Sequence, residues 1–302
     1  MPVNVPDKLP AIHTLRKENI FVMTESRATH QDIRPLRLLV LNLMPLKIVT
    51  ETDLIRMLSN TPLQVELELL HMSTHISKNT PREHLEQFYH TFGDIREHRY
   101  DGMIITGAPV ETLPFEEVTY WRELQSIMDW TTDHVTSTLY LCWAAQAGLH
   151  HFYGIPKYPL EKKCFGIFPH TVLPKTTPLF HGFDDCFMMP HSRHTEIRKE
   201  DILSVPNLKI LAISPEAGLG IIATKNGKQI FITGHPEYSA NTLKKEYERD
   251  KAAGLPIEIP KNYFPEDNPS NHPRISWRAH ASLLFSNWLN YYVYQETPYV
   301  WK

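Results

Sequence analysis

Between residues 36 and 142, short apolar runs alternate with amphipathic stretches, and this alternation limits the fold more than any other feature of the chain. The run 38–43 (LLVLNL) stops at Met44-Pro45 and reads as a buried strand. Residues 50–58 carry apolar side chains at helical spacing, and 65–70 (VELELL) alternates as a strand does. Residues 81–92 put Leu85, Phe88 and Tyr89 on one helical side, and 102–106 (GMIIT) is a further apolar run closed by Gly107-Ala108-Pro109. A helical pattern over 115–130 and a strand over 136–141 complete the series. Such repeated units predict an α/β fold, doubly wound, with a mainly parallel sheet and helices on both faces. Right-handed crossovers then gather the C-terminal strand ends, and any active site, along one edge.

The second half is less regular. Runs 219–224 and 229–233 flank Lys225-Asn226-Gly227-Lys228, a hairpin signal, and 240–252 and 277–294 read as helices. Residues 156–190 and 255–273 read as loop insertions, the second holding five prolines, and residues 1–34 read as an N-terminal arm. The expected organisation is a single domain over 1–302. Lys+Arg 31 against Asp+Glu 34 gives no basic field, which argues against nucleic acid as a partner. No stretch approaches the roughly 18 apolar residues of a membrane span, and residues 1–23 lack the unbroken apolar core of a signal peptide. Three cysteines are too few for a disulfide framework and fit a reducing, cytoplasmic setting.

Chemistry concentrates at 137–152 (STLYLCWAAQAGLHHF). An apolar strand runs into Cys142, and Ala144, Ala145, Ala147 and Gly148 follow in a helical pattern. A nucleophile elbow needs this arrangement: a sharp strand-to-helix turn lifts one side chain above the sheet, with small neighbours where backbones crowd. Helix N-terminal N–H groups there can lower a thiol pKa and bind an oxyanion. A buried structural cysteine is the alternative. In 231–238 (FITGHPEY), His235 follows a strand, with Pro236 stiffening the turn and Glu237 two residues on, as a base and its orienting carboxylate require. With 17 histidines in the chain, a surface turn is the competing reading of that segment alone. Both elements end apolar strands of one sheet. The G-x-G-x-x-A match at 218–223 lies inside the hairpin with no helix after it, and no binding role is assigned to it. His150-His151, His191 and His194 lack metal-ligand spacing, so no metal is expected. Cys164 and Cys186 lack a strand-turn-helix setting.

Cys142 with Gln146, and the later His235-Pro236-Glu237, resemble the elbow and H-P-E of class I glutamine amidotransferases, although Tyr140 and Ala144 replace the two glycines of that elbow. A narrower resemblance covers nearly the whole chain. MPVNVPDKLPA, LNLMPLKIVTETDLIRMLSNTPLQVELELL, DGMIITGAPVE, LCWAAQAGLHHFYGI, KKCFGIF, MPHSRHTE, TGHPEYSANTLKKEYERD and WRAHASLLFSNWLNYYVYQETPY are similar to the homoserine O-acyltransferases of the MetA type. That family shares the amidotransferase-like, flavodoxin-like fold. The resemblance implies that Cys142 takes the acyl group as a thioester, that His235 accepts protons, and that Glu237 completes the catalytic group. It implies substrate contacts from Lys163, Ser192 and Arg249, the last a planar fork suited to a carboxylate.

Donor choice falls on Glu111, with Ser192 also implied in specificity. In the resembling family, glycine at the first position goes with succinyl-CoA and glutamate with acetyl-CoA. A succinyl carboxylate about 4 Å from a glutamate, at an effective dielectric near 20, is repelled by about 4 kcal/mol. That amounts to a discrimination of about a thousandfold. The expected activity is transfer of acetyl from acetyl-CoA, a co-substrate with no bound cofactor, to L-homoserine in methionine biosynthesis, by a homodimer. Succinyl transfer and an amidotransferase-type glutaminase are the alternatives.

Overall fold

The computed structural model describes residues 4–5, 23–24, 35–75, 77, 79–173 and 176–298. The N-terminal arm expected over 1–34 lies outside the described residues, apart from the two-residue parallel strands Asn4–Val5 and Met23–Thr24.

Strands β1 (Leu36–Leu41), β2 (Val65–Leu70), β3 (Tyr89–His90), β4 (Tyr100–Ile105), β5 (Val135–Leu141), β6 (Tyr158–Val172), β7 (Cys186–Glu196), β8 (Leu208–Ser214), β9 (Gly218–Thr224) and β10 (Gln229–Ile232) form one sheet in the order β3-β2-β1-β4-β5-β10-β9-β8-β6-β7. Pairing is parallel from β3 through β10 and antiparallel from there to β7. The major helices are α1 (Lys47–Leu58), α2 (Trp121–His134), α3 (Trp143–Tyr153), α4 (Thr242–Ala252) and α5 (Arg278–Asn287). Strands β1, β4 and β10 are covered on both faces, which is why they are written as mostly apolar runs, whereas β2 near the edge alternates. Leu38 and Val40 of β1 pack with Leu54 of α1 and Leu284 of α5, while Leu39 and Leu41 pack with Leu124 of α2 and Trp143 of α3. Burying each such side chain is worth about 1.5–3 kcal/mol. Helix α3 lies so close to the sheet that a Cβ at Gly148 would stand 2.9 Å from the Phe231 ring and 3.0 Å from Tyr140. Its run of small residues makes that approach possible.

Two readings of the sequence need correction. Residues 156–190, expected as a loop insertion, hold the fifteen-residue strand β6 and the start of β7. Pro159 and Pro169 suggested a loop, yet β6 meets β8 only at Thr171 and Val172, so along most of its length one side carries no neighbouring sheet strand. Proline is tolerated on such an edge because its missing N–H breaks no ladder. The helix expected over 81–92 stops at Phe88, because Tyr89 and His90 pair as a strand with Leu69 and Leu70. By contrast, 255–273 is largely irregular, and Lys261 lies along the free side of β6, its carbonyl accepting from the Ile167 N–H at 2.8 Å. No helix among the described residues is long and apolar enough to cross a membrane.

Candidate active site

Strands β4, β5 and β10 are neighbours in the sheet, and their C-terminal ends deliver three segments to one place. From β5 comes Cys142, the N-cap of α3, with φ 49° and ψ −114°. A non-glycine residue at positive φ is sterically disfavoured and persists only where its surroundings hold it. Here the Cys142 N–H donates to Ile232 O of β10 at 2.7 Å, and its carbonyl accepts from the N–H groups of Ala145 and Gln146. The result is the sharp elbow expected from the sequence, with the thiol at a helix N-terminus.

From β10 comes His235. Its backbone N–H donates to Pro190 O at 2.8 Å, its ring stacks on Tyr238 with centroids 4.0 Å apart, and its Nδ1 lies 2.7 Å from Glu237 Oε1. The imidazole lies beside the Cys142 side chain, the two flanking Gly107. Burial pushes its pKa down, but the charges of Cys142 and Glu237 on either side outweigh burial and hold it well above the usual histidine value. From β4 comes Gly107, where a Cβ would stand 3.2 Å from Cys142 Cβ and 3.4 Å from His235 Cε1. Only glycine leaves the pair undisturbed. Behind His235, Glu237 Oε2 is buried without a hydrogen-bond partner among the described residues.

A second group of side chains arrives from the antiparallel part of the sheet and from α4. Lys163 Nζ of β6 lies 2.6 Å from Glu246 Oε1, which also accepts from Ser192 Oγ of β7 at 2.7 Å. Arg249 pairs with Asp250 at 2.6 Å and lies 3.9 Å from Glu246. These residues and the Cys142–His235 pair line one cleft of about 360 Å³, and Glu111 stands at its edge on the irregular turn after β4. The Glu111 carbonyl accepts from Lys157 Nζ at 2.5 Å. Among the described residues no three of His, Cys, Asp and Glu converge as a metal site.

Six of the seven residues singled out in the sequence therefore line this cleft: Cys142, His235, Lys163, Ser192, Arg249 and Glu111. The seventh, Glu237, supports His235 from behind. Sequence reasoning missed Glu246 and Asp250, which lie in the charged run 244–251 and look like any solvated helix face there. It also missed Tyr238 and Gly107, although both adjoin segments it had marked.

The model of the homoserine O-succinyltransferase family (HTS) matches residues 2–299. A homoserine O-acetyltransferase of Bacteroides thetaiotaomicron is 63% identical over 299 residues, 99% of this chain and 98% of the relative. One from Geobacillus kaustophilus is 62% identical over 302 residues and the full length of both chains. A glutamine amidotransferase structure from Thermotoga maritima superposes with a TM-score of 0.55 at 13% identity, covering 85% of this chain and 97% of that one, a likeness of fold alone. With residues 2–299 matched by the family model and relatives more than 60% identical over nearly the whole chain, the chain belongs to the homoserine O-succinyltransferase family.

Proposed function

We propose that this protein is a homoserine O-acetyltransferase: it carries acetyl from acetyl-CoA to the hydroxyl of L-homoserine through a Cys142 thioester. The observation that carries the reading is one cleft lined by Cys142, by His235 beside it and by Glu111. The family model is that of homoserine O-succinyltransferases, whereas the relatives at 62–63% identity are acetyltransferases. The charge of Glu111 favours the second. A succinyl group would bring a carboxylate against it, and an acetyl group ends in a methyl.

The proposed chemistry has two halves. Cys142 thiolate, paired with the protonated His235, attacks the acetyl carbonyl while N–H groups at the start of α3 hold the oxyanion. The carbon–sulfur bond to CoA breaks and the CoA sulfur takes the His235 proton. Homoserine then enters, its hydroxyl gives a proton to His235, and the oxygen attacks the thioester, releasing Cys142 and O-acetyl-L-homoserine. Glu237 keeps the imidazole oriented throughout. Arg249 offers the amino acid's carboxylate a planar fork, and Glu246 lies beside it as a counter-charge for the ammonium, with Lys163 and Ser192 holding Glu246 in place. We extend the reading to a cytoplasmic homodimer, the commonest closed assembly of soluble chains, which sedimentation velocity checks.

Intact mass after mixing with acetyl-CoA alone tests the covalent step. Wild type gains one acetyl group and Cys142→Ala gains none; an equal adduct on both proteins rejects the thioester. Steady-state rates with homoserine against acetyl-CoA and succinyl-CoA, and ammonia release from glutamine, separate this activity from the two alternatives.

A further inference from the structure

Glu111 does not stand alone. Thr195 Oγ1, on the buried face of β7, lies 3.2 Å from Glu111 Oε2 and 2.8 Å from the carboxamide of Gln146. A hydroxyl has one proton and can donate to only one of these neighbours. As placed, the hydroxyl faces Gln146 Oε1; with the Gln146 carboxamide turned over, its N–H donates to Thr195 Oγ1 and the hydroxyl proton points at Glu111, which satisfies all three groups. Gln146 is itself buried, one turn into α3, and its backbone N–H bonds to the Cys142 carbonyl at 3.4 Å. Two side chains thus connect the Glu111 carboxylate to the turn that carries the thiol. The backbone at Glu111 is tied separately, since Lys157 Nζ donates to the carbonyls of Glu111 and Leu113 at 2.5 Å each.

We propose that Thr195 is a specificity-determining positioning residue: its hydroxyl, backed by Gln146, holds the Glu111 carboxylate at a fixed place in the cleft, where an anionic acyl donor must meet it. This rests on the reading that Glu111 selects the donor. A glutamate on an irregular, half-exposed turn has several rotamers open to water. Repulsion at dielectric 80 is about a quarter of that at 20, so a carboxylate free to swing outward discriminates poorly. The Thr195 hydroxyl removes that freedom without touching the reacting atoms.

The test is kcat/KM with acetyl-CoA and with succinyl-CoA in wild type, Glu111→Gly, Thr195→Val, Thr195→Ser and the Glu111→Gly/Thr195→Val double variant. Thr195→Val keeps the side-chain shape, loses the hydroxyl, and narrows the acetyl-over-succinyl ratio by about tenfold. Thr195→Ser retains the ratio within about twofold, and the double variant has the same ratio as Glu111→Gly within about twofold. Equal losses with both donors in Thr195→Val, or the same narrowing when Glu111 is already glycine, overturn the proposal. If Glu111→Gly shifts the ratio and Thr195→Val does not, only the positioning role falls. If Glu111→Gly leaves the ratio at its wild-type value, the donor reading falls and takes this one with it. Should Thr195→Val not fold, Gln146→Met narrows the ratio by about threefold, and an unchanged ratio there overturns the proposal equally.

Discussion

The two sides of the cleft are built differently. The thiol side stands on the ends of β4, β5 and β10, adjacent strands with a deeply packed core, and its His235–Glu237 pair is buried and joined by a short hydrogen bond. The side holding Lys163, Ser192, Glu246 and Arg249 comes from a long antiparallel ribbon and from α4, and the Arg249 side chain is 68% exposed. Lys163, Glu246 and Asp250 are largely covered, but the Arg249 pairs stand beside solvent, where a single pair is worth little. Thiol chemistry needs reacting atoms held to a fraction of an ångström, whereas capture of a zwitterion needs charges that can exchange partners. Damage on the first side is expected to abolish acyl transfer to the enzyme; damage on the second should spare that half-reaction.

The largest effect is expected from Glu237→Gln, which removes the charge that holds the His235 imidazole. Formation of the acetyl-enzyme slows on the order of a thousandfold, measured by quenched-flow mass spectrometry. The same variant has a pH signature. The folded-state pKa of His235 lies above its ordinary 6.5, so the charged ring contributes stability that is complete below 6.5 and disappears as pH rises through the folded value. Removing the Glu237 charge lowers that folded value, so urea unfolding against pH should show for the variant a smaller loss that is complete at a lower pH. A next, smaller break is Gly107→Ala. Its methyl stands 3.2 Å from Cys142 Cβ and 3.4 Å from His235 Cε1, so one of the pair must shift, and kcat falls by about a hundredfold with the fold retained. An undiminished kcat would mean that the pair has room the geometry does not show.

The smallest effect tests the other side. Arg249→Lys keeps the charge and loses the planar fork, raising KM for homoserine by about tenfold. Acetyl-enzyme formation from acetyl-CoA alone stays at the wild-type rate. A matching drop in both half-reactions would erase the division between the two sides.

How much of this was legible follows from the range of the interactions. The strand 65–70 was readable to its exact bounds, and the hairpin around Asn226-Gly227 nearly so, because each is written in local alternation and turn chemistry. Cys142 was readable as an elbow, since strand, cysteine and small-residue helix are contiguous. The strand pairing of 158–172 was not. It is satisfied by partners in β7, more than twenty residues away in the central pairs such as Cys164 with Arg193, and its prolines imitate a loop. Nor could Lys163 and Ser192 have been found without the family resemblance, for each acquires meaning only beside Glu246.

By itself the order of residues determined the layered α/β architecture and the turn on which the thiol sits, because hydrophobic periodicity and local sterics act over a few residues. Which imidazole stands beside that sulfur, which carboxylate lines the cleft across from it, and which cations share Glu246 were decided only when β4, β5, β10 and the β6–β7 ribbon came together. Hydrogen bonds and charge pairs act over a few ångströms in space, and no local pattern in the chain encodes which distant segments folding will bring that close.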